Sequence, residues 1–469
     1  MFCHHGCTAR RYPRRLYRGT LVTTIDTPLA TLQPPARRGA LVDRIQNGTP
    51  YAVAFGGQGA PWLEPLAELI RDFALESELE SLVSATDALL APVAGDLARA
   101  GVTFAPLAWA DVLAVGESAE DDDAADLPGA DLLDSPGVSV PGILLTQLAG
   151  IRALHRQGVD TQLHAPTAVI GHSQGVLAAE SLAGMADAEL LAIARLIGAA
   201  GQLVGRRRGL LGSTMLSVSN VKPERIDEIL AELPATLRVV SRLRNGRRGV
   251  VLSGPADGLR AVEGRLEEIA AAEKAERERK TTGGTPFAPV IEALPAQLAF
   301  HHPDLVEAAD HVAMWAASCG FDGAHARDLT MRSIVDPVDW VESMETAMNS
   351  GASWILDLGP GDLAARLSAR ELRSRGVGVI ATTTRRGHRE LPAGRQLQPA
   401  ARRLHQRQQV TRRAPWALGT HDPGPLASQA PPRRTKRKVN SSGVAPRRRS
   451  PLAKAREPLA ETNLTSSFA

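Results

Sequence analysis

Short, unbroken apolar runs alternate along this chain with stretches in which apolar positions recur every three or four residues. The runs have the length of buried strands, and the periodic stretches that of amphipathic helices. "YAVAF" (51–55) predicts a strand running into the Gly-rich turn "GGQGAPW". "WLEPLAELIRDFALESELESLV" (62–83) then predicts one helix. "VPGILLTQLAGIRALHRQG" (140–158) predicts a helix entered through Pro141 and closed by Gly158, since proline suits a first helical position and glycine an end. "APTAVIGHSQG" (165–175) follows as a buried strand that breaks at a Gly-x-Ser-x-Gly, with a small-residue helix behind it.

From 212 to 300 the order of elements changes. "STMLSVSN" predicts a strand, "KPERIDEILAEL" a helix, and "LRVVSRLRNGRRGVVLSG" two strands joined at Asn245-Gly246, a hairpin turn dipeptide. "PADGLRAVEGRLEEIAAAEKAERER" predicts a long helix and "EALPAQLAFH" a last strand. This β-α-β-β-α-β order is the ferredoxin-like motif, set inside a larger α/β unit that resumes at "ASWILDLGPGDLAARL". The expected organisation is an extended or disordered arm over 1–40, a large subdomain over 41–211 and 301–382, and a ferredoxin-like small subdomain over 212–300. From 383 to 469 the periodicity stops, and an Arg/Pro/Gln-rich composition reads as a disordered basic tail. A shifted reading frame would produce the same abrupt loss of pattern.

Charge sharpens that division. The net charge of +3 conceals a tail from Arg385 near +15 and a preceding chain near −12. "PPRRTKRKV" and "PRRRSP" read as a solvated tail, and nucleic-acid binding is not expected. The acidic "GESAEDDDAADLPGADLLDS" (116–135) reads as a solvated loop. Cys3, Cys7 and Cys319 are too few for a disulfide framework, which suits a reducing cytoplasm. "FCHHGC" lacks the second ligand cluster a structural zinc site needs, so no metal is expected. No apolar span of membrane length is expected either.

The chemistry concentrates at Ser173. A serine hydroxyl needs exposure on a turn, a base within hydrogen-bond reach, and donors for the oxyanion. A strand–Gly-x-Ser-x-Gly–helix supplies the turn, with the Gln174 N–H as one oxyanion donor. A second donor should come from an earlier strand-to-helix turn, and the Gln58 N–H in "FGGQGA" is the candidate. The base should be a histidine. His301 in "LAFHHPDL" is favoured with His302 as the alternative, while His172 more simply orients the turn.

"FGGQGAPW", "SVPGILLTQ", "GHSQG", "RNGRRGVVLSG", "AFHHP", "DWVE" and "ILDLGPGDL" occur in that order. Together they resemble the N-terminal acetyltransferase domain of bacterial type I fatty acid synthases, within the malonyl/acetyl-CoA:acyl-carrier-protein transacylases, over about residues 40–382. The resemblance implies an α/β-hydrolase-like large subdomain, the ferredoxin-like insert, and an active site between them. It implies Ser173 as acylated nucleophile, His301 as its base, and Gln58 and Gln174 as the oxyanion hole. Gly57 and Asn245 would border the substrate, and a backbone carbonyl near Ser350 would hold the imidazole. Acyl-CoA and the phosphopantetheine thiol of an acyl carrier protein would be the substrates, other synthase domains the further partners, and no cofactor would be bound. Malonyl-transferring relatives place an arginine where Ala200 precedes Gly201 here, so acetyl or another uncharged acyl group is implied. His302 also departs from the small polar residue usual there. The alternatives are a serine hydrolase or thioesterase of the α/β class, and an inactive synthase fragment.

Overall fold

The computed structural model describes residues 22–24, 41–59, 61–99, 133–213, 215–280, 287–294, 296–372, 375–384, 387 and 391. The expectations for the rest of the N-terminal arm, for the acidic loop before Leu133 and for the tail beyond Leu391 lie outside the described residues.

Two five-stranded sheets organise these residues. The first has the order β1 (Val22–Thr24), β3 (Ala168–Gly171), β2 (Tyr51–Phe55), β9 (Trp354–Asp357) and β10 (Gly378–Ala381). Strands β3, β2, β9 and β10 run parallel, and β1 pairs antiparallel with β3. "YAVAF", "AVIG" and "WILD" are buried at every position, as expected of parallel strands covered by helices on both faces. Val22–Thr24, read from sequence as part of the extended arm, is an edge strand with Val22 opposite Ile170.

The second sheet has the order β7 (Val290–Leu294), β4 (Met215–Ser219), β6 (Gly249–Ser253), β5 (Val240–Gly246) and β8 (Val338–Asp339). Its first four strands are antiparallel throughout, backed by helices Pro223–Glu232 and Ala256–Lys280. Strand β8 joins this sheet from the segment after residue 300, parallel to β5, with Leu243 opposite Val338. One sheet therefore stitches the two lobes together.

Several boundaries differ from the sequence reading, each for a local reason. The expected single helix over 62–83 is two, Leu63–Phe73 and Glu76–Leu90. Ala74 takes a left-handed backbone (φ 49°) between them, which turns the chain and buries Leu75. The helix expected to enter at Pro141 begins at Pro136, where the Ser135 carbonyl accepts the N–H groups of Val138 and Ser139, so Pro141 is internal. The hairpin turns at Arg247–Arg248 instead of Asn245-Gly246. The ladder steps from Arg244–Val250 to Gly246–Gly249, leaving Asn245 as the extra residue of a bulge. The strand expected over 292–301 lies upstream, at Val290–Leu294, because the next residue, Pro295, has no N–H for a ladder.

Helices Pro136–Arg156 and Asp187–Arg208 are long and apolar enough to cross a membrane by length and composition, contrary to the expectation that no such span exists. Both are mostly buried inside the fold, where core helices pass the same test. The folded unit also runs past residue 382. Thr383 is buried with its hydroxyl on the Gly361 carbonyl, and Leu391 joins the main core.

Leu298 is fully buried across the helix Asp187–Arg208, where it packs against Gly201 and Gly205. Those glycines have no side chain that could move in to refill its space. Leu298→Ala is expected to lower the unfolding free energy by about 2–5 kcal/mol, read from the midpoint of denaturant unfolding at unchanged slope.

Candidate active site

The parallel strands β2, β3 and β9 end together, with Phe55 opposite Gly171 and Ala54 opposite Asp357. Their following turns therefore share the carboxyl edge of the sheet, where open α/β folds place their sites. The turns interlock. The Gly56 N–H donates to the Gly359 carbonyl at 3.0 Å, and Gln147 Nε2 donates to both the Gly56 and Gly359 carbonyls at 2.7 and 2.9 Å. A Cβ on Gly175 would lie 2.5 Å from the Phe55 carbonyl oxygen, so the elbow after Ser173 tolerates only glycine against β2.

Ser173 sits on that elbow with a left-handed backbone (φ 56°), a strained state that the surrounding packing must hold. The strain lifts its hydroxyl out of the strand direction. Helix Gly175–Leu182 begins two residues on, so its N-terminal dipole faces the same space. His301 arrives from the segment after β7, also left-handed (φ 62°). Its Nε2 lies 2.6 Å from Ser173 Oγ, across 128 residues of sequence. The two residues singled out from sequence as nucleophile and base are in direct contact.

Tautomer follows from partner chemistry. His301 Nδ1 lies 2.6 Å from the Asp336 backbone carbonyl, which can only accept. Nδ1 therefore carries the proton, and the Nε2 lone pair receives the Ser173 O–H. The expected carbonyl near Ser350 is not the one used. The Ser350 hydroxyl instead meets Thr167 Oγ1 at 2.9 Å and donates to the Ala347 carbonyl. Burial pushes the His301 pKa from its ordinary 6.5 down to about 3; the Asp336 hydrogen bond opposes this, and the charges of His172 and Arg242 push it further. The base is neutral at rest.

His302, the alternative base, is fixed elsewhere. Its Nε2 donates to the Arg238 carbonyl at 2.9 Å and its Nδ1 accepts the Asp304 N–H at 3.2 Å, capping the short helix Pro303–Leu305. His172 orients the elbow: Nε2 meets Asn245 Oδ1 at 2.8 Å, and its ring packs edge-on against Trp340 at 5.3 Å between centroids. Burial lowers the His172 pKa, with the Asn245 hydrogen bond opposing. The bulge in β5 is what presents Asn245 across the lobes.

The Gln58 and Gln174 backbone N–H groups have no acceptor among the described residues. Gly57 abuts the nucleophile: a Cβ there would lie 2.8 Å from Ser173 Cβ and 2.7 Å from the His172 carbonyl oxygen. This places the Gly57–Gln58 turn directly against Ser173. The Gln58 side chain is held away from the hydroxyl, donating to Ser139 Oγ at 2.9 Å. Both polar atoms of the Gln174 side chain are buried and have no partner among the described residues. Sequence reasoning missed Ser139 and Gln147, although both lie in the "SVPGILLTQ" motif, and it missed Ser333, whose carbonyl is 3.2 Å from Ser173 Oγ. It also missed Asp336. No side-chain signal marks a residue that acts through its carbonyl.

Another buried carboxyl lies nearby. Asp357 ends β9, accepting the Gly359 and Ala365 N–H groups, and burial pushes its pKa up to about 7 against those hydrogen bonds. It anchors the turn before helix Leu363–Leu372.

Residues 214–293, within the small lobe, match the model of the fatty acid synthase central AT domain. A low-reducing polyketide synthase, drtA of Aspergillus calidoustus, is 26% identical over 225 residues, or 46% of this chain and 8% of that protein. The chain thus matches less than a tenth of that relative's length. Among solved structures, a type II polyketide synthase acyl-carrier protein in complex with its malonyl-transacylase (PlMCAT:AntF) aligns with a TM-score of 0.53 and 20% identity. It covers 74% of this chain and 99% of that one. The malonyl CoA-acyl carrier protein transacylase of Coxiella burnetii aligns at 0.51 and 19%, covering 75% and 98%. The acyl-carrier-protein S-malonyltransferase of Burkholderia pseudomallei aligns at 0.51 and 21%, covering 74% and 100%.

Three outcomes are expected. Gly57→Ala should displace Ser173 from the Gly57–Gln58 turn, slowing formation of any covalent Ser173 adduct by about 10²-fold or more, read by time-resolved intact mass. Because His301 is already neutral, that rate should show no inflection near pH 6.5 as the solution is acidified. Stability moves the other way: below pH 6.5 the unfolded chain takes up a proton that folded His301 refuses until about pH 3. This group therefore costs stability progressively across that window, which thermal melts at stepped pH would record. The chain shares its fold with solved acyl-carrier-protein transacylases, and residues 214–293 match the central AT domain of the fatty acid synthases, the family its motifs resemble.

Proposed function

We propose that this chain is an acyl-CoA:acyl-carrier-protein acyltransferase of fatty acid or polyketide synthesis. It would act in the cytoplasm and move acetyl or another uncharged acyl group through an ester on Ser173. The observation that carries the reading is the 2.6 Å approach of Ser173 Oγ to an imidazole whose tautomer is fixed by the Asp336 carbonyl. In this reading, residues 41–211 and 301–382 are an α/β-hydrolase-like large subdomain, and 212–300 a ferredoxin-like small one.

The reaction runs in two half-steps. Ser173 Oγ attacks the thioester carbonyl of acyl-CoA while Nε2 of His301 takes its proton. The tetrahedral oxyanion rests on the Gln58 and Gln174 N–H groups, and collapse expels CoA, whose sulfur takes the proton from His301. The phosphopantetheine thiol of a carrier protein or carrier domain then attacks the ester, again through His301, and Ser173 is regenerated. The cycle needs no metal or redox step. Other synthase domains would supply the carrier and consume the product.

Acyl choice rests on charge. Ala200 is buried where a carboxylate-binding arginine would stand. Of the arginines on its helix, Arg195 pairs with Asp87, Arg207 and Arg208 pair with Glu307, and Arg206 is exposed. A free carboxylate buried here without its own cation would be costly. The hydrolase alternative expects a carboxylate on the imidazole Nδ1, a place taken by the Asp336 carbonyl.

Intact-mass measurement after incubation with acetyl-CoA and malonyl-CoA separately tests both parts. An acetyl adduct that is absent in Ser173→Ala is expected, with little malonyl adduct. Equal malonyl loading would overturn the acyl preference, and no adduct from any acyl-CoA would overturn the transferase itself.

A further inference from the structure

The segment that holds His301 is irregular. Met331–Val335 is a π-helical turn, closed by the Asp336 N–H on the Met331 carbonyl at 2.7 Å. A turn this wide departs from ordinary helical hydrogen bonding, and such turns gather at functional sites. Three carbonyls at this turn and its exit serve the dyad. That of Ser333 lies 3.2 Å from Ser173 Oγ, that of Ile334 accepts the His301 backbone N–H at 2.7 Å, and that of Asp336 accepts Nδ1–H.

Inside this turn Arg332 is only 6% exposed. Its Nε pairs with Asp328 at 2.9 Å, one turn back on the same segment, and its Nη2 with Glu180 at 2.9 Å. Glu180 is itself buried, on the helix Gly175–Leu182 that starts directly behind the nucleophile. One guanidinium therefore ties the carbonyl cradle of His301 to the helix that follows the Ser173 elbow. Its third nitrogen, Nη1, is buried and has no partner among the described residues. A buried ion pair left partly unsatisfied is a weak source of stability, and an apolar pair of equal volume would pack the same space as well or better. The planar fork that reaches two carboxylates at once is particular to arginine.

The geometry points to Arg332 as a positioning residue of the dyad. Acting through the Ser333, Ile334 and Asp336 carbonyls, it sets the distance and orientation of His301 relative to Ser173, and it touches neither substrate nor reacting atoms. The inference rests on the acyl-transfer reading above.

Removing one partner would strand a buried charge, so the informative variant replaces both: Glu180→Leu with Arg332→Met. It is expected to fold with an unchanged or higher melting temperature. Positioning by Arg332 predicts that acyl-enzyme formation from acetyl-CoA nevertheless falls about tenfold or more in kcat, with KM little changed. It also predicts that the downfield proton NMR resonance of the His301 Nδ1–H, assigned by its loss in His301→Gln, moves or broadens. A folded double variant with wild-type kcat and an unmoved resonance would overturn the inference. Should the double variant not fold, Arg332→Lys carries the same test, since it keeps the charge and loses the fork. An absence of acyl-enzyme in the wild-type protein would instead sink the transferase reading, and the resonance would still decide the role of Arg332.

Discussion

Everything at this site depends on a neutral imidazole held in one tautomer by an uncharged acceptor. A backbone carbonyl can receive a proton donor and can give none, so the Asp336 carbonyl alone decides that the lone pair of His301 faces Ser173. Full burial keeps that imidazole uncharged. The combination has a consequence for catalysis. In the proposed reaction, the imidazolium formed during attack would be stabilised by a dipole in place of a full negative charge. More of the transition-state stabilisation then falls on the oxyanion donors, which act most strongly in a site that excludes water.

Those donors are placed by the sheet. Because β2, β3 and β9 end in register, three turns meet at one edge, and glycine at each contact lets backbone approach backbone. Gln147 locks two of the turns from below, and Ser139 holds the Gln58 side chain to one side. The small lobe completes the arrangement from above. Its bulged strand brings Asn245 to His172, and its sheet continues through β8 into the segment that carries the Asp336 carbonyl. Ser173 and His301 come from different elements, yet both are referred to the same two sheets.

What the sequence disclosed divides along a physical line. The elbow around Ser173 was legible because its requirements are local: a buried strand, two glycines at close approach, and a helix start. His301 was legible as a residue type, since few other side chains can act as a base near neutral pH. The carbonyls of Ser333 and Asp336 were not, because any residue carries a carbonyl, and the choice of Ser350 fell on the wrong loop for that reason. Asn245 was read as part of a turn because Asn-Gly favours one. The ladder instead spends Arg247–Arg248 on the turn and uses Asn245 as a bulge. The antiparallel contact of Val22–Thr24 with β3 and the burial of Leu391 depend on tertiary partners that no local window contains.

The same distinction bears on acyl charge. Counting arginines near the site in sequence would suggest many candidates to neutralise a substrate carboxylate. The partners they already hold argue against the two most deeply placed. Arg332 is the most buried of them, and it already faces two carboxylates, so a third placed beside it would meet a net negative cluster. Arg242 donates to the Val335 carbonyl and already lowers the basicity of His301, so a carboxylate drawn to it would raise that basicity and disturb the neutral base. An uncharged acyl group would disturb neither balance, and in the proposed reaction this would make the electrostatics of Ser173 and His301 and the choice of acyl group parts of one constraint.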